Sequence, residues 1–206
     1  MGDGPFAAAA QRRGTPADLL VVGLANPGDR YAGSRHNIGG EVLDALVDRH
    51  GARLQGSAGV PATSDEVVLD GRRLALVRPS TFYNEVGGAV APMVKRYGIT
   101  EPDRVVVVHD ELDLEPGRLK VKVGGGLAGN NGLRSLRDHL HSTDFVRVRV
   151  GIGKPPDPAR GADHVLGRPS RRDRLELDLA VDDAVDAIEV ILAGGPERAM
   201  ERFNRR

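Results

Sequence analysis

Apolar residues in this chain follow two spacings, one of period two and one of period 3.6, and the alternation between them outlines the fold. From Leu19 the run LLVVGLANPG is short, β-branched and closed by Asn-Pro-Gly, the pattern of a buried strand stopped by a turn. Ile38, Val42, Leu43, Ala45, Leu46 and Val47 then recur on one side of a helical wheel, and Gly51 follows where a C-cap belongs. Two apolar segments flank Asp70-Gly71, which predicts a β-hairpin. Val90, Met93, Val94 and Tyr97 support a helix ending near Gly98, and Arg104 to Asp110 (RVVVVHD) reads as a buried strand. Leu119 to Val123 alternates with Lys120 and Lys122 as an amphipathic strand does. After the glycine-rich GGGLAGNNG come a helix over Gly132 to Leu140 and a strand over Phe145 to Val150, alternating with Arg147 and Arg149. The Gly/Pro-rich stretch through Pro158 reads as a loop. Leu177, Val181, Ala184, Val185, Ile188, Ile191 and Leu192 form a helical stripe stopped by Gly194-Gly195-Pro196, and a short basic tail ends the chain.

Interleaved strands and helices specify the α/β class, here a single three-layer domain with a mixed, mostly parallel twisted sheet flanked by helices. Crossover helices make neighbouring strands parallel, while the Asp-Gly hairpin adds an antiparallel edge. Residues 1–17 have no sustained period and are expected to be a flexible leader, with the α/β domain over 18–206. A total of 206 residues fits one domain. The 27 glycines fall in short runs with no three-residue period, so collagen-like and low-complexity chains are excluded. With no Cys, disulfides, thiol nucleophiles and Cys-ligated zinc are excluded too. No apolar run reaches the ~20 residues of a membrane span and no signal-peptide core is visible, so the expectation is a cytoplasmic protein with no membrane partner. Lys plus Arg equal Asp plus Glu at 29 each, so any nucleic-acid contact must be local rather than a coat of positive charge.

In open α/β sheets functional groups gather beyond the carboxyl ends of the strands. Asn26, Asp110 and the glycine-rich loop all follow expected strands, which gives Asn26, His36, Asn84, Asp110 and Asn131 a common site. GLANPG does not match Gly-x-Gly-x-x-Gly, GGGLAGNNG lacks the Lys-Ser/Thr ending of a phosphate-binding loop, and no Gly-x-Ser-x-Gly is present. No cofactor is therefore expected, and water is left as the nucleophile of a hydrolase. Consecutive His109-Asp110-Glu111 and the pair His139-x-His141 do not converge as metal ligands do, so no metal is expected. A neutral imidazole with a carboxylate on its other nitrogen is a competent general base near neutral pH, and His36 with Asp110 supplies the two groups. Asparagine amides suit ester and amide carbonyls and a developing oxyanion.

VVGLANPGDRYAGSRHNIGG, RPSTFYNEVGGAV, VVHDELDLEPGRLKVKVGGG, GNNGLRSL and FVRVRVGIGKP, in this order and spacing, resemble bacterial-type peptidyl-tRNA hydrolase from Leu19 to about Asn204. The resemblance implies hydrolysis of the ester between peptide and tRNA, with His36 as general base and Asp110 as its partner. It also implies that Asn26 engages the peptide side, that Tyr31, Phe82, Asn84 and Asn131 contact substrate, that Asn131 helps to place the water, and that Lys122 and Arg149 meet tRNA phosphate. A monomer acting on the tRNA acceptor end and peptide is the expected partnership, with Lys120, Lys122, Arg134, Arg137, Arg147 and Arg149 in one positive patch. Two positions depart from the family pattern. Gly129-Asn130-Asn131-Gly132 stands where Gly-His-Asn-Gly is usual, and Tyr83 stands where Met usually precedes the contact asparagine.

Overall fold

A computed structural model describes residues 4–11, 13–155 and 157–205. In chain order the elements are α1 (Pro5–Ala9), β1 (Leu19–Gly23), α2 (Ile38–His50), β2 (Gln55–Gly56), β3 (Ala62–Leu69), β4 (Arg72–Pro79) and α3 (Val86–Tyr97). They continue as β5 (Val105–Glu111), β6 (Leu119–Val123), α4 (Asn131–Leu140), β7 (Val146–Gly151), α5 (Gly161–Leu166), α6 (Arg171–Gly194) and α7 (Pro196–Phe203). The strands form one sheet in the order β2-β3-β4-β1-β5-β7-β6.

Parallel pairing is confined to the four central strands: β1 lies between β4 and β5, and β5 lies beside β7. Both edges are antiparallel. One is the expected hairpin, whose turn residues Asp70 and Gly71 have φ of 50° and 78°, the paired positive values of a type I′ turn. The other is β6, which pairs with β7 rather than β5. Only seven residues, 112–118, separate β5 from β6, too few for the crossover of a dozen or more that parallel strands need.

Alternation along the strands divides the core between two faces. Leu19, Val21, Val106, Val108, Val146 and Val148 pack with α2, α6 and α7, whereas Leu20, Val22, Val105 and Val107 pack with α3 and α4. Each face is a fully buried aliphatic layer, as the Val-rich strands dictate for a sheet covered on both sides.

Three segments differ from their sequence pattern. Within the expected leader, Pro5–Ala9 is helical, Ala9 is buried and Phe6 packs beside the α3–α4 core. The alanine run is too short for a period to show, yet its small side chains allow close packing. In place of a basic tail the chain ends in α7, started by Pro196 after Gly195 (φ 87°), with Ala199 and Phe203 four residues apart and buried. Asn204 then pairs with the outer edge of β6: Val121 N–H donates to Oδ1 at 2.8 Å and Nδ2 donates to the Val121 carbonyl at 2.9 Å. Finally, α5 follows the Gly/Pro-rich loop, and its His164 Nε2 lies 2.9 Å from the Gly153 carbonyl oxygen, joining it to the end of β7.

Candidate active site

The loops leaving β1, β4 and β5 diverge at one end of the sheet, where the chain passes from β1 to a helix on one face and from β4 to a helix on the other. Two glycines bring α2 close to this end. A Cβ on Gly23 would overlap the Gly39 carbonyl oxygen, and a Cβ on Gly39 would overlap the Val108 carbonyl oxygen and sit 2.8 Å from the Leu24 nitrogen. With both absent, α2 starts against β1 and β5, and the 3₁₀ turn immediately before it, Arg35–Asn37, carries His36 to the end of β5.

His36 Nδ1 lies 3.0 and 2.9 Å from the two carboxylate oxygens of Asp110. The histidine side chain is 18% exposed and the aspartate 4%, so solvent reaches the imidazole while its partner is shielded. With Nδ1 donating to the carboxylate, Nε2 is left with a lone pair. Arg35 braces the turn from below: its guanidinium donates to the Arg168 carbonyl at 2.9 Å and pairs with Asp173 at 3.3 Å.

Asn26 is held by a residue that the sequence pattern did not single out. Its backbone N–H donates to Asn37 Oδ1 at 2.8 Å, and Asn37 Nδ2 donates to its carbonyl at 2.9 Å. Asn37 sits at the N-cap of α2, yet its side chain makes no cap bond and serves Asn26 instead. Asn26 Oδ1 accepts the Tyr83 backbone N–H at 3.0 Å, which leaves the amide NH2 as the donor it can offer a ligand.

Tyr83, which departs from the family pattern in the sequence, is the buried centre of the site. Its ring stacks on His36 with centroids 3.6 Å apart and an 18° interplanar angle. Its hydroxyl donates to Asp110 Oδ1 at 2.8 Å and accepts from Asn130 Nδ2 at 3.2 Å. Burial, and then the Asp110 carboxylate, push the phenol well above its ordinary pKa, so it is a donor at any working pH.

His36, Asp110 and Asn131 share a cavity of about 650 Å³, walled by Leu112, Val165 and the start of α4. Asn26 joins them through Tyr83. Tyr31, half-buried, ends the 3₁₀ turn Asp29–Tyr31, and Phe82, 51% exposed, and Asn84, exposed, flank Tyr83 at the mouth of α3. Lys122 and Arg149 line a separate, neighbouring cavity of about 310 Å³ together with His109. Strand register builds that second surface by setting Lys120 opposite Arg149 and Lys122 opposite Arg147.

Arg147 corrects the expected patch. It is only 3% exposed, and its guanidinium donates to the Gly125 and Gly126 carbonyls at 2.7 and 2.6 Å, so it secures the glycine-rich segment instead of facing solvent. Arg149 remains at the surface cavity but is bonded to Glu111, with its Nε 2.9 Å from Oε2. Among the described residues no group of three or more His, Asp or Glu is placed to hold a metal ion.

A profile of the family "Peptidyl-tRNA hydrolase" matches residues 20–206. The peptidyl-tRNA hydrolase of Cutibacterium acnes is 45% identical over 195 residues, covering 90% of this chain and 97% of that protein. That of Rubrobacter xylanophilus is 48% identical over 185 residues, covering 90% and 99%. The crystal structure of peptidyl-tRNA hydrolase from Acinetobacter baumannii superposes with a TM-score of 0.86 at 35% identity, covering 93% of this chain and 97% of that one.

Proposed function

This chain belongs to the peptidyl-tRNA hydrolase family, and from that premise we propose that His36 and Asp110 are the groups with which it cleaves the ester between a peptide and the terminal ribose of tRNA. The observation that carries the proposal is the His36–Asp110 pair at 2.9–3.0 Å, opening on one side into a cavity that also holds Asn131. Nε2 takes a proton from water as the water oxygen attacks the ester carbonyl, and Asp110 stabilises the imidazolium that forms. Collapse of the tetrahedral intermediate returns that proton to the leaving ribose oxygen and releases tRNA and the peptide carboxylic acid, which loses its remaining proton to water. The amides of Asn26 and Asn131 orient the peptide carbonyl and the water, and Tyr31, Phe82 and Asn84 border the peptide and acceptor end. Lys122 and Arg149 take tRNA phosphates. The ester leaving group is good enough that the scheme needs no cofactor or covalent intermediate. The setting proposed is a cytoplasmic monomer, and no helix among the described residues is long and apolar enough to cross a membrane.

The test is release of peptide from purified peptidyl-tRNA with a metal chelator present. His36→Ala is expected to lower kcat by about 10²–10⁴-fold, the usual share of a general base. Asp110→Asn should act mainly on kcat as well, because an asparagine NH2 facing Nδ1 forces the proton onto Nε2 and removes the base. Full activity of His36→Ala would overturn the assignment.

A further inference from the structure

We infer that Tyr83 is a positioning residue for this hydrolysis, whose hydroxyl and ring together hold the His36–Asp110 pair in the arrangement that keeps Nε2 ready for water; the inference rests on the role proposed for that pair. Both Asp110 oxygens lie within 3.0 Å of His36 Nδ1, so geometry alone leaves the imidazole a choice of acceptor. The Tyr83 hydroxyl biases that choice by donating to Oδ1 at 2.8 Å, which draws on the charge of that oxygen and leaves Oδ2, at 2.9 Å, the stronger acceptor for the imidazole. A buried carboxylate with each oxygen in use has no freedom to swing away from its partner.

The direction of the hydroxyl is itself determined. Asn130 is the N-cap of α4, and its Oδ1 accepts the Leu133 N–H at 3.0 Å. That bond fixes the amide orientation, so the group 3.2 Å from the phenol oxygen is the NH2 donor. A phenol oxygen that accepts from Asn130 has only its own proton to give, and Asp110 is the acceptor in reach. The order runs from helix cap to phenol to carboxylate to imidazole, each group oriented by the one before it. Both departures from the family pattern, Tyr83 and Asn130, are thus two halves of one hydrogen-bonded unit.

The ring contributes separately. Stacked at 3.6 Å, it blocks rotation of the imidazole out of the plane of its bond to Asp110, and its π-face meets the positive charge that forms during proton transfer. Gly132 makes room for it, since a Cβ there would lie 2.8 Å from Tyr83 Cδ1 and 3.0 Å from Leu24 Cδ1. The pieces that place the ring come from β4, α4 and the loop after β1.

Removing the hydroxyl alone, Tyr83→Phe, should lower kcat about tenfold with KM changed less than about twofold, as expected when a bond to a buried charged group is lost from the reacting state. In an Asp110→Asn background the same substitution should cost less than about twofold, because the hydroxyl acts through that carboxylate. Asn130→Ser keeps a cap acceptor but removes the NH2, and a kcat loss of about threefold is expected. The His36 Nδ1–H signal in a ¹H–¹⁵N imidazole spectrum, which needs no activity, should exchange with solvent about tenfold faster in Tyr83→Phe. Wild-type kcat in Tyr83→Phe, an undiminished loss in the Asp110→Asn background, or unchanged Nδ1–H exchange each overturns the inference. An inactive wild-type protein would instead overturn the hydrolase assignment, with the imidazole spectrum still deciding the role of Tyr83.

Discussion

His109 and Asp110 are chain neighbours at the end of β5, and strand alternation sends their side chains to opposite faces. Asp110 meets His36, while His109, 2% exposed, donates to the Asp110 carbonyl from Nδ1 at 2.7 Å. Burial lowers the His109 pKa below its ordinary value of 6.5, and the attraction of the Asp110 carboxylate opposes this only in part. The consequence for stability has a definite sign. Above the unfolded value of about 6.5 both states carry a neutral ring, and the folded protein has its full stability. As pH falls below that, the unfolded chain binds a proton that the folded one refuses, so stability declines until the lowered folded pKa is crossed. The thermal midpoint should therefore drop between about pH 7 and pH 5.5, and His109→Asn, which keeps an N–H for the same carbonyl, should flatten the profile. Equal slopes in both proteins would assign the acid sensitivity to another group.

Among the elements, α2 depends most on what is missing from its side chains. Its first turn lies against the backbone of β1 and β5 because Gly39 and Gly23 have no Cβ. Gly39→Ala would press a methyl group into the Val108 carbonyl oxygen and the Leu24 backbone, neither of which can move without opening the sheet. The expected cost is about 3 kcal/mol in denaturant unfolding, at the upper end of ordinary overpacking. Activity should fall further than stability, since the same shift draws His36 off Asp110. An Ala variant with wild-type stability and turnover would show that α2 has slack at this contact. Glycine pairs such as 39–40 look like poor helix starts by propensity, and here tertiary contact outweighs propensity.

At the scale of the whole molecule, zero formal charge does not prevent a basic surface, because strand alternation places Lys120, Lys122, Arg147 and Arg149 on one face beside α4. Exposure then sorts them. Lys122 is exposed, Arg149 shares its charge with Glu111, and Arg147 is buried on the glycine-rich segment. Binding of tRNA should weaken with salt, and Lys122→Ala should reduce the log–log salt slope by about one phosphate contact. Arg147→Ala should leave that slope nearly unchanged and lower stability instead. A salt-independent affinity would remove the surface from consideration as the phosphate contact.

Period-two and period-3.6 patterns determined the class of fold, the central strands and the helices that pack on them, since local alternation already decides which side of an element avoids water. Residue type and order along the chain likewise singled out Asn26, His36, Asn84, Asp110 and Asn131 as candidates for one site beyond the strand ends. Contacts between distant segments decided the rest. α7 gains stability from the core it shares with α6, and Asn204 just after it from the edge of β6, 83 residues away in sequence. Nothing in the local pattern marks Asn37 until Asn26 is placed beside it, Arg147 reads as a surface cation until the glycine carbonyls close over it, and Tyr83 reads only as a departure from the family pattern. No local pattern records that a phenol from the β4 loop meets an imidazole from the β1 loop and a carboxylate from β5, because only the packed sheet brings those three strand ends together.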